Sequence, residues 1–181
     1  KVLGITKYSS EDEIRIAYKR LLMKHHPDTG DGDVQRLDDI RQAFTDIKKI
    51  QALCHSQDDD MRWLIALISD TGMRLGEAAG LLKSDIKIDD PIPYIELKPH
   101  PWRTLKTKGS KRKIPLVGSA LWAAKRIVNQ QNNSPFCFPR YCNEQVCKNN
   151  SASAGLNKWL HEHVPDGCVV HSFRHSIRAR L

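Results

Sequence analysis

Thr71-Gly72-Met73-Arg74-Leu75-Gly76-Glu77 sets an arginine where one helix stops and the next begins. Before it, Met61 to Ser69 reads as an apolar helix dominated by Met61, Leu64, Ile65, Leu67 and Ile68, and Thr71-Gly72 breaks it. After it, a short helix is predicted from Gly76 to Leu82. Glu77 lies three residues beyond Arg74, on the same helical face, where a carboxylate can orient a guanidinium.

Downstream the texture changes. Ile86-Lys-Ile88, Tyr94-Ile-Glu-Leu-Lys98, Trp102-Arg-Thr-Leu-Lys106 and Arg112-Lys-Ile-Pro-Leu-Val117 are short β-prone runs. Asp-Asp-Pro, Pro-His-Pro and Lys-Gly-Ser turns separate them, which predicts a small antiparallel sheet. Lys106 and Lys108 fall in the turn of a hairpin, with Lys108 nearer the turn. Helical patterning returns over Ser119–Asn129, over Ala152–His161 and from Ser172 onward. His171 and Arg174 open that last helix with i, i+3 spacing. The fold class expected is mostly α with a small antiparallel β-sheet (α+β).

An arginine, a lysine, a histidine and a second arginine, each at an element boundary, suit a phosphodiester. Arginine's planar fork holds two phosphate oxygens at once. Two forks can stabilise a pentacoordinate phosphorus without a metal. A mobile lysine can give a proton to a departing oxygen, and histidine can exchange one near neutral pH.

Composition agrees with an anionic partner. The 181 residues carry 29 Lys and Arg against 21 Asp and Glu, a net charge of +8. The excess is uneven: residues 1–53 hold 10 basic and 9 acidic side chains, and residues 54–181 hold 19 and 12. No apolar run approaches the roughly 18–20 residues of a membrane helix, so no membrane partner is expected. Cys137, Cys142 and Cys147 follow one another at five-residue intervals, not at zinc-site spacing; with His161 and His163 nearby they still predict reduced thiols, and no metal or cofactor. Polar His55-Ser-Gln-Asp-Asp-Asp60 reads as a loop, and His100 and Arg103 read as loop residues without chemistry.

The N-terminal segment has its own logic. Ser10-x-x-Glu13 signals a helix start, and Ile14, Ala17, Tyr18, Leu21 and Leu22 make one apolar face. Arg15, Lys19, Arg20 and Lys24 make the rest of its surface basic. Pro27 ends the helix, and a polar loop leads to a second helix from about Val34 with Leu37, Ile40, Phe44 and Ile47 on one stripe. His26-Pro27-Asp28, with Glu13-Ile-Arg-Ile-Ala-Tyr18 and Lys24-His-His-Pro-Asp28, resembles the J-domain of DnaJ-type co-chaperones over roughly residues 1–50. The resemblance implies that His26, Pro27 and Asp28 stimulate ATP hydrolysis by a DnaK-type chaperone. It also implies that Arg15, Lys19, Arg20 and Lys24 dock on the acidic surface of that chaperone.

From about residue 44 to 181 the chain resembles the catalytic domain of tyrosine recombinases, the phage-integrase family. The resemblance rests on Thr71-Gly-Met-Arg-Leu-Gly-Glu77, the lysine hairpin ending in Ile114-Pro-Leu116, and His171-x-x-Arg174-His175. It implies an enzyme of site-specific DNA recombination and integration, acting on double-stranded DNA without ATP or metal. Arg74 and Arg174 would clamp the scissile phosphate, with Glu77 ordering Arg74. Lys106 or Lys108 would protonate the 5′-hydroxyl and His171 would assist proton transfer, with His175 supporting the site. Apart from the resemblance, Lys111, Arg112 and Lys113 read either as DNA-backbone contacts or as charge protecting an exposed strand edge.

In this family a tyrosine attacks phosphorus from a position beyond the second arginine. Tyr8, Tyr18, Tyr94 and Tyr141 all precede His171, so this chain is expected to bind DNA and not cleave it. It is also expected to be monomeric without DNA, cytoplasmic, and nucleoid-associated when bound. The division expected is a J-domain-like hairpin over 1–53 and an integrase-type domain over 54–181. The two resemblances compete for residues 41–53, so a shared connecting helix is one expectation. The alternative function is a DnaJ-type co-chaperone with a DNA-binding C-terminal segment.

Overall fold

The computed structural model describes residues 34–105 and 110–180. The predicted helix at Ser10–Pro27, the His26-Pro27-Asp28 motif, and both hairpin lysines, Lys106 and Lys108, lie outside the described residues.

Helix α1 spans Val34–Gln57 and α2 spans Asp60–Thr71. The loop expected at His55–Asp60 shrinks to two residues. Asp58 takes a left-handed φ of 47°, and the Asp59 side chain accepts the Arg62 amide at 2.9 Å to cap α2. The helix persists this far because Ile47, Ile50, Gln51 and Cys54 are buried on one face of α1. The boundary expected after Leu53 thus falls inside a continuous helix.

Helix α2 is the central element, with Leu64 to Ser69 all buried. Its C-terminus is Gly72, whose φ of 60° favours glycine. A Cβ there would also meet the Ile177 side chain at 3.2 Å, so the last helix could not pack as closely on any larger residue. Short α3, Leu75–Ala79, follows; it begins one residue earlier and ends three earlier than the sequence pattern suggests.

The sheet has three antiparallel strands in sequential order: β1 at Ile86–Lys87, β2 at Tyr94–Leu97 and β3 at Arg112–Pro115. Ile95 pairs with Ile114 and Leu97 with Arg112. Alternation sends those four side chains to the core face and leaves Lys113 on the outer face, its ammonium 4.3 Å from the centre of the Tyr94 ring. The third β-prone run forms no strand over its described residues, 102–105. Trp102 and Arg103 close a tight turn held by two backbone hydrogen bonds between His100 and Arg103, both 3.0 Å. Pro99 and Pro101 remove ladder donors there, and the Arg103 side chain turns inward.

Helices α4, Gly118–Asn129, α5, Asn149–His161, and α6, Ser172–Arg180, complete the fold. Asp70 ties the first part of it together. It accepts the Gln51 side-chain amide at 2.7 Å and the Ser119 backbone N–H, at the start of α4, at 2.8 Å. Between α4 and α5, Cys142 and Cys147 form a disulfide across an antiparallel bridge, which corrects the expectation of reduced thiols for this pair. Cys54 and Cys137 are free and buried, and burial pushes the Cys54 thiol up to about 12. No helix among the described residues is long and apolar enough to cross a membrane. The mostly helical fold with a small antiparallel sheet is the one expected from the sequence.

Candidate phosphate-binding site

The site is built on the turn between α2 and α3. After Gly72 the backbone of Arg74 is extended (φ −68°, ψ 147°), which places it at the N-terminal cap of α3. Glu77 falls in the first turn of that helix. Its carboxylate reaches back to accept the Arg74 backbone N–H at 3.0 Å and the Arg74 guanidinium at 2.9 Å. An acid here also suits the positive end of the helix dipole.

A second guanidinium approaches from the sheet. Arg112, in phase with Ile114 on the core face of β3, donates to Glu77 at 2.9 Å and to the Ser110 carbonyl at 2.8 Å. Glu77 is thus buried and held by two arginines. Burial alone would raise its pKa. The hydrogen bonds from Arg112, from the Arg74 backbone and from the Arg74 side chain outweigh that, and hold the carboxyl below the usual glutamate range. The arginine side chains keep 35% and 27% of their surface exposed, so each can present donors outward while Glu77 fixes it.

Arg174 comes from the first turn of α6, 102 residues away in sequence from the carbonyl of Gly72, which it meets at 2.6 Å. That bond brings it to the same α2–α3 turn as Arg74. His171 stands just before α6 and is exposed; the His175 ring, also exposed, meets it edge-on at 5.0 Å. Arg74, Glu77, Arg174 and Arg112 therefore converge on the Gly72–Glu77 segment. Lys111 and Lys113 point to solvent, and the Tyr94 contact raises the Lys113 pKa.

Sequence reasoning did not find the partnership of Arg112 with Glu77. The signal was present: in a two-residue period, Arg112 is in register with buried Ile114 and out of register with Lys113. It also missed a neighbouring cluster. Arg103, read as a plain loop residue, is 3% exposed and donates to Asp85 at 3.2 Å, to the Lys98 carbonyl at 2.6 Å and to the Glu77 carbonyl at 3.2 Å. A Cβ on Gly80 would lie 2.9 Å from the Arg103 Cδ, so glycine makes room for this crossing. His100 stacks on Trp102 and brings Nε2 to 3.5 Å from Asp85. Arg103 thereby ties the helix bearing Glu77 to the residue that follows β2.

The helical fold with its small sheet gathers the guanidiniums of Arg74 and Arg112 around one buried acid, Glu77. Comparison with known proteins then places the chain. The phage integrase family model matches residues 41–181, most of the sequence, and the chain belongs to that family. The DnaJ domain model matches residues 1–58. The chain is 61% identical over 33 residues to the chaperone protein DnaJ of Leptothrix cholodnii, a match covering 18% of this chain and 9% of that protein. To the DnaJ of Paraburkholderia phymatum it is 44% identical over 43 residues, 24% of this chain and 11% of that one. The chain thus spans about a tenth of the length of these relatives. Among solved structures it is similar to the Tn1549 transposon integrase in complex with a circular intermediate DNA, with a TM-score of 0.52 and 16% identity. That likeness, which concerns the fold, covers 94% of this chain and 65% of the transposon integrase chain.

Proposed function

We propose that residues 54–181 act on double-stranded DNA as the catalytic portion of a tyrosine-type recombinase, with Arg74 and Arg174 clamping one phosphodiester. The observation that carries this reading is the convergence of the two arginines on the Gly72–Glu77 turn, with Glu77 fixing Arg74. In this reading Arg112 is a second positioning group on Glu77 that can also meet a flanking phosphate, as Lys111 and Lys113 do. Lys108 or Lys106 supplies the proton to the leaving 5′-hydroxyl, His171 assists, and His175 supports it. The two guanidiniums supply the charge stabilisation, so the phosphate step calls on no cofactor. Neither described tyrosine is assigned as nucleophile: Tyr141 is buried, and Tyr94 lies beneath Lys113 on the outer face of the sheet. Binding to duplex DNA would place the protein at the nucleoid.

The test uses duplexes that the full chain selects from a random-sequence pool. The logarithm of affinity should fall linearly with the logarithm of salt concentration. Arg74→Gln and Arg174→Gln should each weaken binding and reduce the slope by about 1. An unchanged slope in both variants would remove the clamp from DNA binding.

A second reading concerns the N-terminus and rests on the DnaJ domain match. His26, Pro27 and Asp28 would stimulate ATP hydrolysis by a DnaK-type chaperone, docked through Arg15, Lys19, Arg20 and Lys24. Asp28→Asn should abolish the stimulation without altering DNA affinity.

A further inference from the structure

The disulfide belongs to neither reading. Cys142 and Cys147 face each other across a short antiparallel hairpin between α4 and α5. Its tip, Asn143-Glu144-Gln145-Val146, is exposed, and the Asn143 side chain accepts the backbone N–H groups of Gln145 and Val146, both at 2.9 Å. The two limbs are held differently. Cys142 is buried, and its N–H and that of Tyr141 both donate to the carbonyl of Phe138, a core residue, at 3.0 Å. Cys147 is half-buried. Its limb is joined to the first by the Asn143 N–H on the Val146 carbonyl at 3.0 Å and the Lys148 N–H on the Tyr141 carbonyl at 2.7 Å. A two-stranded ladder of that size is marginal in water, so the covalent bond fixes the second limb to the core.

That limb runs straight into α5. The helix begins at Asn149, whose N–H donates to the Cys147 carbonyl at 2.9 Å. The Asn149 side chain lies over Gly76: a Cβ there would meet its amide group at 3.1 Å. Gly76 belongs to α3, which packs on α5 and carries Glu77, the acid that fixes Arg74. Resting on the phosphodiester reading above, we propose that the Cys142–Cys147 hairpin is a redox-controlled positioning element for the arginine clamp. Oxidised, it holds Asn149 against Gly76 and so sets α3. Reduced, it releases that contact and weakens the grip on a phosphodiester.

DNA is handled in compartments that keep thiols reduced, and a disulfide there is as a rule transient or sensing. Exchange with the other core cysteines is blocked. Burial pushes the Cys54 thiol up to about 12 and raises that of Cys137 as well, so neither supplies a thiolate. In reduction, a dithiol attacks the sulfur of the less buried cysteine, Cys147. The Cys142–Cys147 bond breaks and Cys142 leaves as the thiol. The second thiol of the reductant then releases Cys147. Two electrons and two protons pass to the cysteine pair, and the reductant leaves as its own disulfide. Glutathione disulfide reverses the change, taking the two electrons and two protons and leaving as two thiols.

The test uses the full chain with Cys168→Ser, which removes the remaining partly exposed thiol. Affinity for duplexes selected with the oxidised chain is measured before and after dithiothreitol. Reduction should weaken binding roughly fivefold or more, the lower end of couplings between linked sites, and glutathione disulfide should restore it. Cys142→Ser with Cys147→Ser should bind like the reduced chain and ignore dithiothreitol. In an Arg74→Gln background the redox effect should shrink, because the hairpin acts through the clamp. Hydrogen exchange supplies a readout without DNA. On reduction the amides of Asn149 and Glu77 should exchange faster, while those of Leu64 to Ile68 in α2 should not change. Equal exchange or equal affinity in the two states would overturn the proposal. So would a redox effect of full size in Arg74→Gln, or cysteines that glutathione disulfide leaves unpaired. Absence of DNA binding in both states would count against the phosphodiester reading, whereas the exchange difference tests the hairpin's hold on α3 independently.

Discussion

Two buried acids in this molecule each hold arginine, and they are used in opposite ways. Glu77 holds Arg74 and Arg112 at 2.9 Å each, and both guanidiniums remain partly open to solvent. Asp85 has no exposed side-chain surface and pairs with Arg103, which is almost as deeply buried. Lys98 and His100 complete that second group, each at 3.5 Å. Each group pairs arginine with a buried carboxylate; access of the guanidinium to water separates them. An arginine fixed by a buried acid but still open can bind an anion. An arginine buried with its acid can only join pieces of the fold, and Arg103 does so by linking α3 to the end of β2.

Four predictions press on this contrast. Asp85→Ala should have the largest effect on folding, about 3–5 kcal/mol, because it strands the Arg103 charge in the interior. Denaturant unfolding measures this, and replacing the pair together, Asp85→Leu with Arg103→Met, should recover much of the loss. A loss under 1 kcal/mol for the single change would mean that the cluster is not the staple described.

Glu77→Gln should cost about 2–3 kcal/mol, since it removes charge-assisted hydrogen bonds from two arginines and from a backbone amide. The acid limb should change as well. The folded-state pKa of Glu77 lies below its unfolded value, so its contribution is complete above the ordinary glutamate range. That contribution is lost as pH falls through the folded value. Unfolding measured from neutral pH down to acid should be less pH-dependent in the glutamine variant. Equal acid slopes in the two proteins would contradict the assignment.

Gly72→Ala should cost about 1–2 kcal/mol, from the left-handed backbone together with the crowding of Ile177. Its melting temperature and DNA affinity should drop together, because the same residue terminates α2 and receives Arg174. Arg74→Ala should have the smallest effect on stability, below about 1 kcal/mol, as suits an ion pair whose guanidinium is one-third exposed. Its DNA affinity should nevertheless fall clearly. If Arg74→Ala destabilised the protein as much as Asp85→Ala, the distinction between an open and a closed cluster would fail.

Much of the site is legible in the residues. Arg74 and Glu77 are neighbours because helical spacing makes them so, and His171 and Arg174 share one turn for the same reason. Both relations are local, and local rules reach them. The acid partners of Arg112 and Arg103 were not legible for a common reason: each arginine stands in a basic or turn-rich stretch. Their partners, Glu77 and Asp85, lie 35 and 18 residues away in the chain, beyond any local period. The β-prone run at Trp102 failed similarly, because the inward pull on Arg103 comes from Asp85.

By itself the sequence determined most of the helices, the presence of a small antiparallel sheet, the turn that carries Arg74 and the two family resemblances. These follow from hydrophobic period, from glycine and proline placement and from motif spacing, all of which act over a few residues. Only the tertiary structure decided that α1 runs unbroken past Leu53, that Arg174 meets the Gly72 carbonyl, and that Arg112 turns to Glu77 while Arg103 turns to Asp85. Those outcomes depend on which distant groups share a buried space. There an unpaired charge is too costly to leave, so each arginine is directed to the acid that packing brings within reach.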